Sequence, residues 1–100
     1  MVVLVAAQQA SLPPGTNSLV STKANLQNGP DSLVLAKDGA AVDAVGYGTF
    51  MGNFAGEGSA AQDPADSPQT LSRLPNGADT GDNAADFQLG TPTPGGPNMP

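Results

Sequence analysis

Residues 32–48, Ser32-Leu-Val-Leu-Ala-Lys-Asp-Gly-Ala-Ala-Val-Asp-Ala-Val-Gly-Tyr-Gly48, decide how this chain folds. Asp38-Gly39 predicts a two-residue hairpin turn, because both positions tolerate positive φ and the turn matches the twist of the flanking strands. That turn sets an expected register in which Lys37 faces Ala40, Leu35 faces Val42 and Leu33 faces Ala44. Leu33, Leu35, Val42 and Ala44 then share one face, with Val34 and Asp43 on the other.

Outward from this hairpin the reading stays β. Val2 to Val5 predicts a strand with apolar residues on both faces, and Ala6 to Ala10 a helical turn stopped by Leu12-Pro-Pro-Gly15. Thr16-Asn-Ser-Leu-Val-Ser-Thr22 is a short strand candidate. Residues 46–68 are rich in glycine and small residues and read as a long surface loop. Gln69-Thr-Leu-Ser-Arg-Leu74 returns to strand alternation with Leu71 inward, and Ala85-Asp-Phe-Gln-Leu-Gly90 gives a last strand. Residues 91–100, Thr-Pro-Thr-Pro-Gly-Gly-Pro-Asn-Met-Pro, read as an extended tail after a domain spanning 1–90. No segment has helix-length periodicity, so the expected class is all-β.

Composition removes whole classes of function. The chain has 100 residues, a net charge of −6, and neither cysteine nor histidine. Disulfides, thiolate nucleophiles, zinc-finger ligation and histidine acid–base chemistry are therefore excluded. Only Lys23, Lys37 and Arg73 are basic, so autonomous nucleic-acid binding is not expected. The opening Met1-Val-Val-Leu-Val-Ala-Ala7 has no Lys or Arg near it and its apolar run breaks at Gln8-Gln9, so it lacks the charged region and the longer apolar core of a signal peptide, and a strand is the better reading. No stretch approaches the ~20 apolar residues of a membrane-spanning helix. Most of the Leu, Val and Phe lie before residue 55, so the first half is expected to build the core.

The one acidic cluster is Asp79, Asp82, Asn83 and Asp86, within Arg73-Leu-Pro-Asn-Gly-Ala-Asp-Thr-Gly-Asp-Asn-Ala-Ala-Asp-Phe87. As a metal site it would need oxygens converging at about 2.3–2.6 Å, and no starting residue gives the spacing of an EF-hand loop. Short Asp and Asn side chains more simply close their own turns and cap a helical turn. Arg73 is expected to pair with Asp79 or Asp82. Tyr47, Phe50 and Phe54 are candidates for a contact with a glycan or protein, set against a role covering one end of the domain. Asp63 and Asp66 flank Pro64 without any sign of an enclosing pocket. No serine has a base in reach of the usual motifs, so no catalytic residues are expected and the chain is not expected to be an enzyme.

Three segments taken in order resemble one family: residues 26–48, residues 69–90 and residues 91–98. Hairpin, Thr70-Leu-Ser-Arg73 strand, Asp79-x-x-Asp-Asn-x-x-Asp-Phe87 and Thr-Pro-Gly-x-Pro-Asn tail together resemble the later part of the lamin-tail domain, in its bacterial form. The resemblance implies an immunoglobulin-like β-sandwich serving as a non-catalytic accessory or interaction module of a secreted or cell-surface protein. Protein or cell-envelope components would be its partners, with no cofactor. The family's opening strands, with a Glu-aromatic-aliphatic-Glu pattern and a later Gly-Trp, have no counterpart here, since the only glutamate is Glu57 and there is no tryptophan. The resemblance thus implies a sandwich lacking its first strands, whose open sheet edge favours strand addition or self-association. Asp38, Gly39 and Arg73 are the expected structural residues. The alternative function is calcium-dependent surface or ligand binding through residues 76–86.

Overall fold

The computed structural model describes residues 2–5, 11–27, 29–64 and 68–100. Six strands and one helical turn follow in order: β1 (Val2–Val5), β2 (Ser18–Ser21), β3 (Asp31–Lys37), β4 (Ala40–Tyr47), β5 (Thr70–Arg73), α1 (Asn83–Asp86) and β6 (Phe87–Gly90). The class is all-β. The strands form three two-stranded sheets, β1 parallel to β2, β3 antiparallel to β4, and β5 antiparallel to β6. The expected helical turn at residues 6–10 lies outside the described residues.

The β3–β4 hairpin turns at Asp38 and Gly39, both left-handed at φ 51° and 78°. Glycine enters this region without steric cost, and aspartate is one of the few other types that visit it routinely. Lys37 faces Ala40 as expected, but the register then shifts. A bulge leaves Val42 unpaired, so Leu35 faces Asp43, Val34 faces Ala44 and Leu33 faces Val45. The expected shared face of Leu33, Leu35, Val42 and Ala44 is therefore corrected to Leu33, Leu35, Asp43 and Val45. The physical gain is electrostatic: the extra residue turns Asp43 onto the face where Arg73 waits, 2.6 Å away. Val42 is displaced outward and is 62% exposed.

Beyond β4 the chain does not wander as a free loop. Ala61 lies beside Tyr47 in a parallel bridge, its N–H donating to the Gly46 carbonyl at 2.8 Å and its carbonyl accepting from Gly48 at 2.9 Å. Phe54 rests on Gly46, where any β-carbon would collide with its ring. This close approach is why Gly46 occupies a strand interior.

Nor is the tail extended. Thr93-Pro94-Gly95-Gly96 makes a tight turn, with Gly95 at φ 81° and the Gly96 N–H donating to the Thr93 carbonyl at 2.9 Å. Proline second and a left-handed glycine third is the type II arrangement. The chain reverses, Thr91 bridges to Met99, and Asn98 is tied to both Asn76 and the Arg73 carbonyl. Gly95 also abuts Thr16. Residues 91–100 thus belong to the folded body, because proline-fixed φ angles shape a turn as readily as an extended run.

Candidate functional site

The buried centre of the molecule is polar. Among the described residues, the most enclosed side chains are Asn83 and Asp86, at 0% and 1% exposure, while the buried apolar residues are Tyr47 and Ala61. Both polar residues sit on α1, which is one helical turn long. Asp82 starts it as N-cap, its carboxylate accepting from the Ala84 N–H and, at 2.8 Å, from the Ser59 N–H. Gly58 approaches Asp82 so closely that no side chain fits there.

Asn83 works as a backbone surrogate. Its Oδ1 accepts from Gly46 N–H at 2.9 Å and Glu57 N–H at 2.8 Å, its Nδ2 donates to the Ala44 carbonyl at 2.9 Å, and its own N–H donates to the Glu57 carbonyl. One side chain thus satisfies β4 and the 54–64 segment together, where no strand ladder reaches. Buried backbone groups left unpaired would each cost about 1–3 kcal/mol.

Asp86 accepts from the N–H and hydroxyl of Thr80, at 2.9 and 2.8 Å. The Thr80 N–H is the leading influence holding its carboxyl below the ordinary range; burial pulls the other way, and Arg73 at 3.4 Å contributes less. Arg73 donates to Asp43 at 2.6 Å and the Ala78 carbonyl at 2.8 Å, and Asp79 lies 3.3 Å from it. Its guanidinium also stacks over Phe87, 4.7 Å from the ring centroid. Of the two expected acidic partners, Asp79 meets Arg73 and Asp82 does not, since Asp82 is committed to the α1 cap. Asp43 and Asp86 replace it.

Each member of the acidic cluster commits at least one side-chain oxygen to a backbone donor. Asp79 accepts from Gly81, Asp82 from Ser59 and Ala84, Asn83 from Gly46 and Glu57, and Asp86 from Thr80. Among the described residues no group of three or more acidic side chains is placed to hold a cation. Tyr47 is buried, its hydroxyl donating to the Gln27 carbonyl, and burial followed by Asp31 and Asp63 pushes its pKa up. Phe50 and Phe54 are half-buried in an edge-to-face pair with centroids 5.0 Å apart. Met51 between them is fully exposed. Asp66 lies outside the described residues, so its relation to Asp63 is not on view.

Apolar surface gathers elsewhere. A groove of about 320 Å3 is lined by Val3, Leu26, Leu33, Leu35, Val45 and Phe87, with the Arg73–Asp43 pair also on its wall. Leu33 and Leu35 are 50% and 63% exposed. Asp43 and Phe87 were missed in the sequence because a bulge and a cation–π contact placed them. Asn83 and Asn98 were visible as motif members, but their roles depend on strands brought close by folding.

No helix among the described residues is long and apolar enough to cross a membrane. The chain matches no family model, no curated protein and no solved structure.

Proposed function

We propose that this chain is a non-catalytic interaction module of a secreted or cell-surface protein, built as an open immunoglobulin-like β-sandwich of the lamin-tail kind. The observation that carries the reading is the pairing of a rigid polar hub with an uncovered apolar groove. Arg73, Asp82, Asn83, Asp86 and Asn98 belong to the segments that resemble lamin-tail domains, and all of them serve to join elements rather than to face solvent as reacting groups. Leu33 and Leu35, by contrast, stand exposed on the groove.

A magnitude supports this. The chain exposes 6671 Å2, whereas a compact monomer of its 9.9 kDa would expose roughly 5,200 Å2. Chain dimensions do not account for the difference, because the radius of gyration of 13.5 Å is close to the ~13 Å of a compact 100-residue domain. The excess is spread over the whole chain, and the exposed apolar residues Leu33, Leu35 and Val42 contribute to it. Exposed apolar residues gathered along one groove are what marks an interaction face.

The test uses the apolar fluorophore ANS on the intact chain. The native protein should bind it while keeping a cooperative melt and a fixed near-ultraviolet Tyr47 signal. Leu33→Lys with Leu35→Lys should abolish that binding with the melt retained. Binding without a cooperative melt would describe a loosely packed state instead and refute a formed groove. Absence of binding to the native chain would refute it equally.

A further inference from the structure

Strand β3 is unpaired along its outer edge among the described residues, because its sheet holds β4 alone. Such an edge offers a row of free backbone groups, and proteins normally blunt it with a charge, a proline or a bulge. Asp31-Ser-Leu-Val-Leu-Ala-Lys37 has none of these devices along its middle. The bulge of this hairpin lies on β4, at Val42, and leaves the outer edge of β3 regular.

The strand is complementary to itself. Laid antiparallel against a second copy with Val34 on the twofold axis, Asp31 stands opposite Lys37, Leu33 opposite Leu35, and Val34 opposite Val34. Both ends gain an opposite-charge pair, and the two Leu33–Leu35 pairs fall on the groove face while Val34 meets its copy on the other. Lys37 makes no ion pair among the described residues, in contrast to Arg73. No shift of register keeps this match: a slip by one residue moves every side chain to the other face.

We infer that the chain associates with a second copy of itself through β3, forming a continuous β4–β3–β3–β4 sheet about Val34. This rests on the reading of the chain as an interaction module and names its partner. Two such hairpins also bring four exposed leucines into one cross-strand cluster.

Sedimentation equilibrium from micromolar to millimolar chain gives the first measurement, with a dimer expected. Lys37→Asp sets carboxylates against Asp31 at both ends and should weaken the dimer about tenfold or more. Asp31→Lys should do the same through opposed lysines. Mixing these two variants should restore association as a heterodimer, since each then meets its complement. The chain has no cysteine, so Val34→Cys supplies a single thiol on the axis. Antiparallel partners have Cα atoms about 4.5–5.5 Å apart, inside disulfide reach. Val34→Cys should therefore oxidise to a covalent dimer far faster than Met51→Cys, an equally solitary thiol at a fully exposed position. A monomer at all concentrations overturns the inference, and so does a dimer indifferent to Lys37→Asp or equal oxidation rates for the two thiols. Failure of the interaction-module reading shows separately, as loss of ANS binding by the native groove.

Discussion

Asn83 shows how much a single side chain holds in place here. Replacing it by alanine strands Gly46 N–H, Glu57 N–H and the Ala44 carbonyl in a buried setting. At about 1–3 kcal/mol for each unpaired group, the loss is about 3 kcal/mol or more, a large part of the ~5–15 kcal/mol a domain has. Thermal unfolding of Asn83→Ala should show a midpoint many degrees lower, or no transition. Asp86 makes stability depend on acid. Its folded pKa lies below the ordinary 3.8, so its contribution is complete above that value and is lost as pH falls through the lower folded value. Asp86→Asn should flatten this part of the acid-unfolding curve; an unchanged acid limb would refute the role. The same commitments bear on calcium. With an oxygen of each carboxylate of the 79–86 cluster held by a backbone donor and Asp79 and Asp86 beside Arg73, midpoints in millimolar calcium and in EDTA should coincide, whereas a bound ion would raise the first.

At the scale of elements, the β3–β4 hairpin separates what turn chemistry dictates from what packing dictates. Asp38-Gly39 fixed the reversal, and Gly39→Val should cost about 1–2 kcal/mol, read from urea unfolding, because a β-branched residue is strained at φ 78°. The bulge at Val42 was not legible. Both registers leave an apolar strand face, and choosing between them required knowing that Arg73, thirty residues on, would lie against Asp43. Arg73 itself is 13% exposed, and removing one partner of a buried ion pair costs about 3–5 kcal/mol. Asp43 and Asp79 are more exposed and soften that figure. Arg73→Met should accordingly destabilise less than Asn83→Ala in the same melts. The tail makes the same point, since Pro94-Gly95 encodes a turn but its docking rests on Asn98 reaching Arg73 and Asn76 and on Gly95 meeting Thr16.

For the whole molecule, a small body with an open apolar face and a polar centre should unfold with a shallow denaturant dependence. The m-value follows the surface newly exposed on unfolding, and this chain already exposes about 1,500 Å2 more than a compact monomer of its mass. A urea m-value below that of ordinary 100-residue domains is expected for dilute protein. It should rise with concentration if β3 pairs between copies. What the sequence by itself determined was local: strand patterning, the Asp38-Gly39 turn, the capping aspartate, and the exclusion of thiol and imidazole chemistry. These depend on residues within a few positions of one another, where backbone preference and side-chain reach suffice. Only the tertiary structure decided the Val42 bulge, the placement of Asn83 between β4 and residue 57, and the exposure of Leu33 and Leu35. Each is settled by which distant segment arrives to satisfy a hydrogen bond, a charge or an apolar surface, and nothing in neighbouring residues encodes that arrival.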